Sequence, residues 1–139
     1  MWYYENKPFT PIDEDIKDFV GFVYLITDKS NGKKYVGKKL FWSKIKRPPL
    51  KGKKRKRVST VQSDWMKYYS SNGIIMEGAK EDPDRFHREI LHFCKSKGEL
   101  SYMELKEQMD RGVLFSEDYY NGIIQVRINA SHVKGMKNE

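Results

Sequence analysis

Two apolar segments joined by a short polar turn constrain this chain most. Gly21-Phe22-Val23-Tyr24-Leu25-Ile26-Thr27 leaves no polar face, and Lys33 to Leu40 follows after the stretch Asp28 to Gly32. A strand without a polar face must be covered on both sides, which places it inside a sheet with elements packed above and below. Asn31-Gly32 is the dipeptide that best accepts the positive φ angles of a tight hairpin turn. The two segments therefore read as one antiparallel hairpin. Each carries a tyrosine, Tyr24 in Val23-Tyr24-Leu25 and Tyr35 in Tyr35-Val36-Gly37, so the hairpin brings two phenols near one another at the edge of a small sheet. Gly37 allows a close approach to its backbone.

Around this hairpin the pattern is mixed. Ile12, Ile16 and Phe19 form an apolar stripe after Thr10-Pro11 and predict a short helix. Ser63-Asp64 can cap a helix through Trp65, Met66, Tyr68 and Tyr69. Residues 72–80 carry a weaker helical signal, interrupted by Gly73 and Gly78 and stopped at Asp82-Pro83. Phe86 to Phe93 suits a third strand, although periodicity alone does not separate strand from helix there. Glu99 to Met109 is rich in helix formers, and Asp110-Arg111-Gly112 closes it. Tyr119-Tyr120-Asn121-Gly122 reads as a turn before an apolar segment, Ile123 to Ile128, and the tail from Ser131 is polar. The expectation is one α/β (α+β) domain over residues 1–139: a small, mainly antiparallel three-stranded sheet flanked by helices.

Charge is concentrated in one place. Residues 44–57 hold nine basic side chains, Lys44, Lys46, Arg47, Lys51, Lys53, Lys54, Arg55, Lys56 and Arg57, and no acidic one. Without them the chain carries 18 basic against 19 acidic residues, so the net charge of +8 belongs to this segment alone. With Pro48-Pro49, Gly52 and no periodicity, residues 43–60 read as a loop that is mobile until it meets a ligand. Such a segment attracts polyanions and releases their condensed counterions. Its arginines suit phosphate better than its lysines do, because the guanidinium binds bidentately. A solvated basic tail or a localisation signal has the same composition, but this run lies inside the domain, directly after the second tyrosine. No apolar run approaches the roughly 18 residues of a membrane span, the N-terminus lacks a signal-peptide pattern, and the single Cys94 excludes an internal disulfide. These features predict a protein of the reducing cytoplasm. His87, His92, His132 and Cys94 lack the spacing of a zinc site.

Sheet tyrosines are ordinarily packing residues. Beside a phosphate-binding segment they also suit proton transfer, provided positive charge lowers a phenol pKa that is normally near ~10. Lys38, Lys39 and a bound metal are the candidate sources of that charge. On the helix at 99–109, Leu100 and Met103 place Glu104 at the border of the apolar face, and Glu107 competes for the same position.

At this point the residues resemble the GIY-YIG nuclease domain. Val23-Tyr24-Leu25 stands for its first motif and Tyr35-Val36-Gly37 for its second, with a step of eleven from one tyrosine to the other. Phe86 to Leu91 looks like its third strand, and Glu104 and Asn121 look like its acidic and asparagine motifs. The likeness spans residues 20–125 and is closest to phage-type, free-standing homing endonucleases. The first motif lacks its Gly-Ile pair. The family's arginine register falls on Lys44, Ile45 and Lys46, leaving Arg47 as the nearest arginine, and Tyr69 stands in the region of a family histidine. The resemblance implies a DNA endonuclease in which Tyr24 and Tyr35 act on the water and phosphate. Glu104 would hold Mg²⁺ (or Mn²⁺), Asn121 would hold the hairpin or metal site, and Lys39 or Arg47 would supply the basic catalytic group. Double-stranded DNA is the implied partner and a homodimer is compatible. A non-catalytic nucleic-acid binder using the basic segment, and a repair, junction-resolving or restriction-type nuclease of the same fold, are the alternatives.

Overall fold

The computed structural model describes residues 1–136. The chain begins with two short strands, β1 (Trp2–Tyr4) and β2 (Lys7–Pro8), and one helical turn, α1 (Asp13–Ile16). The predicted hairpin follows as β3 (Gly21–Asp28) and β4 (Lys34–Leu40), then a second hairpin, β5 (Trp42–Arg47) and β6 (Arg57–Gln62). A 3₁₀ turn at Trp65–Lys67 leads to α2 (Gly73–Glu81), β7 (Phe86–Cys94), α3 (Lys97–Asp110) and the short α4 (Ala130–Val133).

Five strands form one sheet in the order β2-β1-β7-β3-β4, with β1 parallel to β7 and the other pairings antiparallel. The fold is thus mixed α/β, and the sheet is larger than the expected three strands. The added strands come from the N-terminus. Trp2-Tyr3-Tyr4 is too short to show a period, and it joins β7 only through a long-range pairing. Its anchor is Trp2, whose indole N–H donates to the Trp65 carbonyl at 2.8 Å.

β3 lies between β7 and β4 and is buried at nearly every position. Phe22, Tyr24 and Ile26 point into an aromatic layer with Trp2, Phe41, Trp65, Ile75 and Phe86. Val23 and Leu25 point to the other face, where they meet Val36, Cys94, Leu100 and Val113 beneath α3. This is the two-sided cover that an entirely apolar strand requires. Cys94 is fully buried, which pushes its thiol up to about 12 and leaves it inert.

Further expectations are refined. The segment 43–60 is a β-ribbon with a nine-residue tip, not a continuous loop. The helix expected after Asp64 is a single 3₁₀ turn, and the one expected near Ile12 is a single α-turn. Residues 123–128 have no regular structure, and Ile123 is 69% exposed. Of the polar tail expected from Ser131, residues 137–139 lie outside the described residues.

Candidate active site

The register of β3 on β4 sets Tyr24 opposite Gly37 and Ile26 opposite Tyr35. Paired residues share a face, so both phenols project from the same side in adjacent rows, with ring centroids 6.3 Å apart. Gly37 makes this possible. The Tyr24 ring lies across it, over the outermost strand β4, and a Cβ built there would sit 2.3 Å from the phenol oxygen. The tyrosine of the first segment and the glycine of the second are thus one device: the missing side chain is the channel through which the phenol reaches the sheet edge.

That edge is held by the segment after α3. Lys34 and Tyr120 exchange backbone bonds through Lys34 N–H to Asp118 O and Tyr120 N–H to Lys34 O, at 2.8 and 2.7 Å. Asn121 is buried and uses both ends of its amide on Val36. Its oxygen accepts the Val36 N–H at 3.0 Å, and its nitrogen donates to the Val36 carbonyl at 2.9 Å. Gln108 donates to the same carbonyl at 3.3 Å. Asn121 therefore grips the hairpin rather than facing the phenols. At the hairpin's end Asp28 is buried and paired with Arg85 at 2.7 Å, and it also accepts from Ser30 and Tyr120. The Arg85 guanidinium holds the Asp28 carboxyl far below the usual carboxylate range.

Glu104 enters from the other side. Lys38 Nζ donates to Ser101 Oγ at 2.9 Å and ties α3 to β4 one turn before Glu104. Burial raises the Glu104 carboxyl, with Lys38 opposing. Its negative charge in turn lifts both phenols, so the three groups share one electrostatic neighbourhood. Glu107, the competing carboxylate, is committed elsewhere, 2.7 Å from His92 and 2.9 Å from Arg111. Glu104 has no ion-pair partner among the described residues. A partly desolvated, unpaired carboxylate suits Mg²⁺, which takes oxygen ligands and keeps several waters. Among the described residues no three His, Cys, Asp or Glu side chains gather into a metal cluster.

The phenols are not acidified. Burial raises Tyr24 well above the usual phenol range, and the neighbouring Tyr68 and Tyr35 add to the effect. Tyr35 is also raised by burial, partly offset by its hydrogen bond with Ser71. Of the expected sources of positive charge, Lys38, Lys39 and a bound metal, the two lysines are engaged with other groups. Lys38 is engaged with Ser101, and Lys39 Nζ is paired with Asp64 at 2.7 Å and lies 4.3 Å above the Tyr68 ring.

Tyr68 is the residue that sequence reading missed; Tyr69 was the one singled out. The Tyr68 ring packs edge-on against Tyr24 at 6.0 Å, between it and Lys39. Tyr69 turns away, stacking on the Arg88 guanidinium at 4.0 Å and meeting Phe86. A helix would have kept the two neighbours about 100° apart on one surface, whereas the extended backbone from Tyr68 sends them to different partners. Arg88, itself buried, donates to the Tyr68 carbonyl at 2.8 Å and fixes this segment. Ser70, with φ +82° and almost no exposure, then turns the chain toward α2.

The basic residues lie elsewhere. Lys44, Lys46, Arg47 and Arg57 are exposed on β5 and β6, and Lys51, Lys53, Lys54, Arg55 and Lys56 on the tip between them. Arg47 is five residues along the ribbon from Trp42, roughly 17 Å at the usual strand rise, and donates to Ser59 Oγ at 2.9 Å. It does not join the tyrosines. Lys39 is the basic residue that the fold brings to them, one aromatic ring from Tyr24.

Comparison with known proteins supplies one match. The family model described as "Putative endonuclease segE, GIY-YIG domain" matches residues 2–124. No curated protein and no solved structure matches the chain. No helix among the described residues is long and apolar enough to cross a membrane.

Proposed function

The chain belongs to the GIY-YIG endonuclease domain family, and from that premise we propose that it hydrolyses phosphodiester bonds of double-stranded DNA in a metal-dependent reaction centred on Tyr24, Tyr35 and Glu104. The observation that carries this reading is the passage of the Tyr24 phenol over Gly37 to the β4 edge, within the electrostatic reach of Glu104.

In this reading Glu104 would hold Mg²⁺ or Mn²⁺, which would supply Lewis-acid stabilisation of the leaving oxygen and positive charge beside the phenols. Tyr24 accepts the proton of the attacking water. Its raised pKa keeps it protonated at neutral pH, so the fraction ready to act as base is small and grows with pH. Tyr35, hydrogen-bonded to Ser71, orients the water or the scissile phosphate. Lys39, steadied by Asp64 and Tyr68, stabilises the added negative charge on the phosphoryl oxygens. Asn121 acts through Val36 as a positioning residue. One such site cuts one strand, so a double-strand break takes two copies or two visits. The resemblance to phage-type members favours a free-standing homing role over repair or restriction.

Plasmid incubated with Mg²⁺ tests the proposal. The wild-type chain is expected to nick or linearise it, EDTA to stop the reaction, and Glu104→Ala and Tyr24→Phe to lose it. Equal cleavage by all three proteins removes the site. Salt-sensitive binding without any cleavage supports the non-catalytic alternative.

A further inference from the structure

The β5–β6 ribbon stands apart from the body of the domain. Trp42 and Gln62 anchor its base: the Trp42 indole donates to the Phe19 carbonyl at 3.0 Å, and Gln62 accepts from Trp65 and donates to Asp13. Beyond that pair every β5 residue from Ser43 to Arg47 is exposed, as are Arg57, Val58 and Thr60. The strands pack on each other and expose both faces.

Cross-strand register sorts the side chains. Lys44 opposite Thr60 and Lys46 opposite Val58 share one face. Ser43 opposite Val61, Ile45 opposite Ser59, and Arg47 opposite Arg57 share the other. Like charges set directly across an antiparallel pair destabilise an isolated ribbon, and residues 44–57 contain no acid to offset them. The arginines are nevertheless oriented. Arg47 donates from Nε to Ser59 Oγ at 2.9 Å, and Arg57 donates from Nε to the Pro48 carbonyl at 3.2 Å. Each bond uses the inner nitrogen and leaves both terminal nitrogens for a planar partner with two acceptors.

We propose that this ribbon enters the major groove of the DNA substrate, with Arg47 and Arg57 reading guanine edges while Lys44, Lys46 and the tip lysines hold the phosphates on either side. The proposal rests on the DNA-cleaving reading above and names how that substrate is recognised. The major groove, about 12 Å wide, admits a two-stranded ribbon, and the O6 and N7 atoms of guanine present the acceptor pair that a guanidinium matches. Ile45, 37% exposed on the same face, is placed to meet a thymine methyl group. A ribbon binding phosphate alone would have no use for oriented arginines on one face and lysines on the other.

The experiment selects short duplexes with a randomised centre on the full chain in EDTA, where cleavage is stopped, and sequences the bound pool. The expected pool is enriched in guanine at fixed positions, and 7-deazaguanine there weakens wild-type binding ~10-fold. Arg47→Lys with Arg57→Lys keeps the charge, and so is expected to keep the salt dependence while losing the enrichment. Lys51→Ala, Lys53→Ala and Lys54→Ala together are expected to weaken all sequences alike and to lower the salt slope by up to about 3. An unenriched wild-type pool, an unchanged preference in the double lysine variant, or tolerance of 7-deazaguanine with displacement by the minor-groove ligand netropsin would each overturn the proposal. A chain that selects guanine in this way but never cuts plasmid removes the hydrolase reading and leaves the ribbon; a chain that cuts without selection does the reverse.

Discussion

Two hairpins follow one another in this chain and are opposites. β3, the inner strand of the first hairpin, has no polar face and is covered on both sides, so its side chains are held where packing puts them. β5–β6 has almost no buried residue beyond its base and keeps its cations in solvent. Under the proposed function, this difference would divide the work. Chemistry that depends on ångström-scale placement belongs in the packed hairpin, where Gly37, Asn121 and Asp28 fix the strand and its phenols. Capture of a long polyanion needs reach and charge rather than a fixed cavity, and the bare hairpin supplies both.

The largest effect that would break this contrast is at Glu104. Glu104→Ala is expected to lower the cleavage rate roughly a thousandfold, the scale of several kcal/mol lost from the transition state, while DNA affinity stays near wild type. Gel-shift and single-turnover assays on the same duplex separate the two quantities. A parallel fall in affinity would show that the packed hairpin also carries binding.

Tyr24→Phe comes next, at roughly a hundredfold, the lower end for loss of a general base. The sign of its pH dependence follows from the raised phenol pKa. The deprotonated form is the active one, so the wild-type rate should climb steadily as pH rises from neutral into the alkaline range. The phenylalanine variant should lose that climb. A wild-type rate flat across this range would exclude Tyr24 as the base.

Gly37→Ala sharpens the geometry. The added methyl would meet the Tyr24 phenol at 2.3 Å, so the ring must move. Activity is expected to fall nearly as far as in Tyr24→Phe, with a stability cost of about 1–3 kcal/mol typical of overpacking. Denaturation and cleavage measured on the same sample test both parts, and full activity would contradict the channel.

Asp28→Asn is the smallest effect and bears on stability alone. Removing the buried charge opposite Arg85 is expected to cost roughly 2 kcal/mol, below the ~3–5 of a fully buried pair, because the Arg85 side chain is 30% exposed. The folded pKa of Asp28 lies below its unfolded value, so its stabilisation is complete above that value and declines as pH falls through it. The gap between wild type and variant should therefore narrow between neutral pH and about pH 3. Chemical denaturation at both values checks it.

The same contrast explains what the sequence made legible. The packed hairpin announces itself: an apolar run, an Asn-Gly turn and two tyrosines are local signals, and Gly32 takes the positive φ (+75°) expected of it. β7 and α3 were readable for similar reasons, one from its apolar run and one from its helix formers. The ribbon was not, because its strands have no buried face to impose a period of two, and prolines and lysines dominate its composition. The N-terminal strands were hidden because Trp2-Tyr3-Tyr4 and Lys7-Pro8 are too short to show a period, and β1 is tied into the sheet by pairing with β7, more than eighty residues away. At the candidate site, the two tyrosines stood out by their spacing, and Glu104 by its place at the border of the helix face and by the family resemblance. Tyr68 did not, because its role depends on an extended backbone after a 3₁₀ turn and on the Arg88 bond that holds it.

The most direct measurement is a crystal structure of the chain soaked with Mn²⁺, read from the metal's anomalous signal. The account predicts one ion bonded to the Glu104 carboxylate, on the side facing the Tyr24 and Tyr35 hydroxyls. An ion held by other carboxylates, with Glu104 bare and turned away from the phenols, would contradict it.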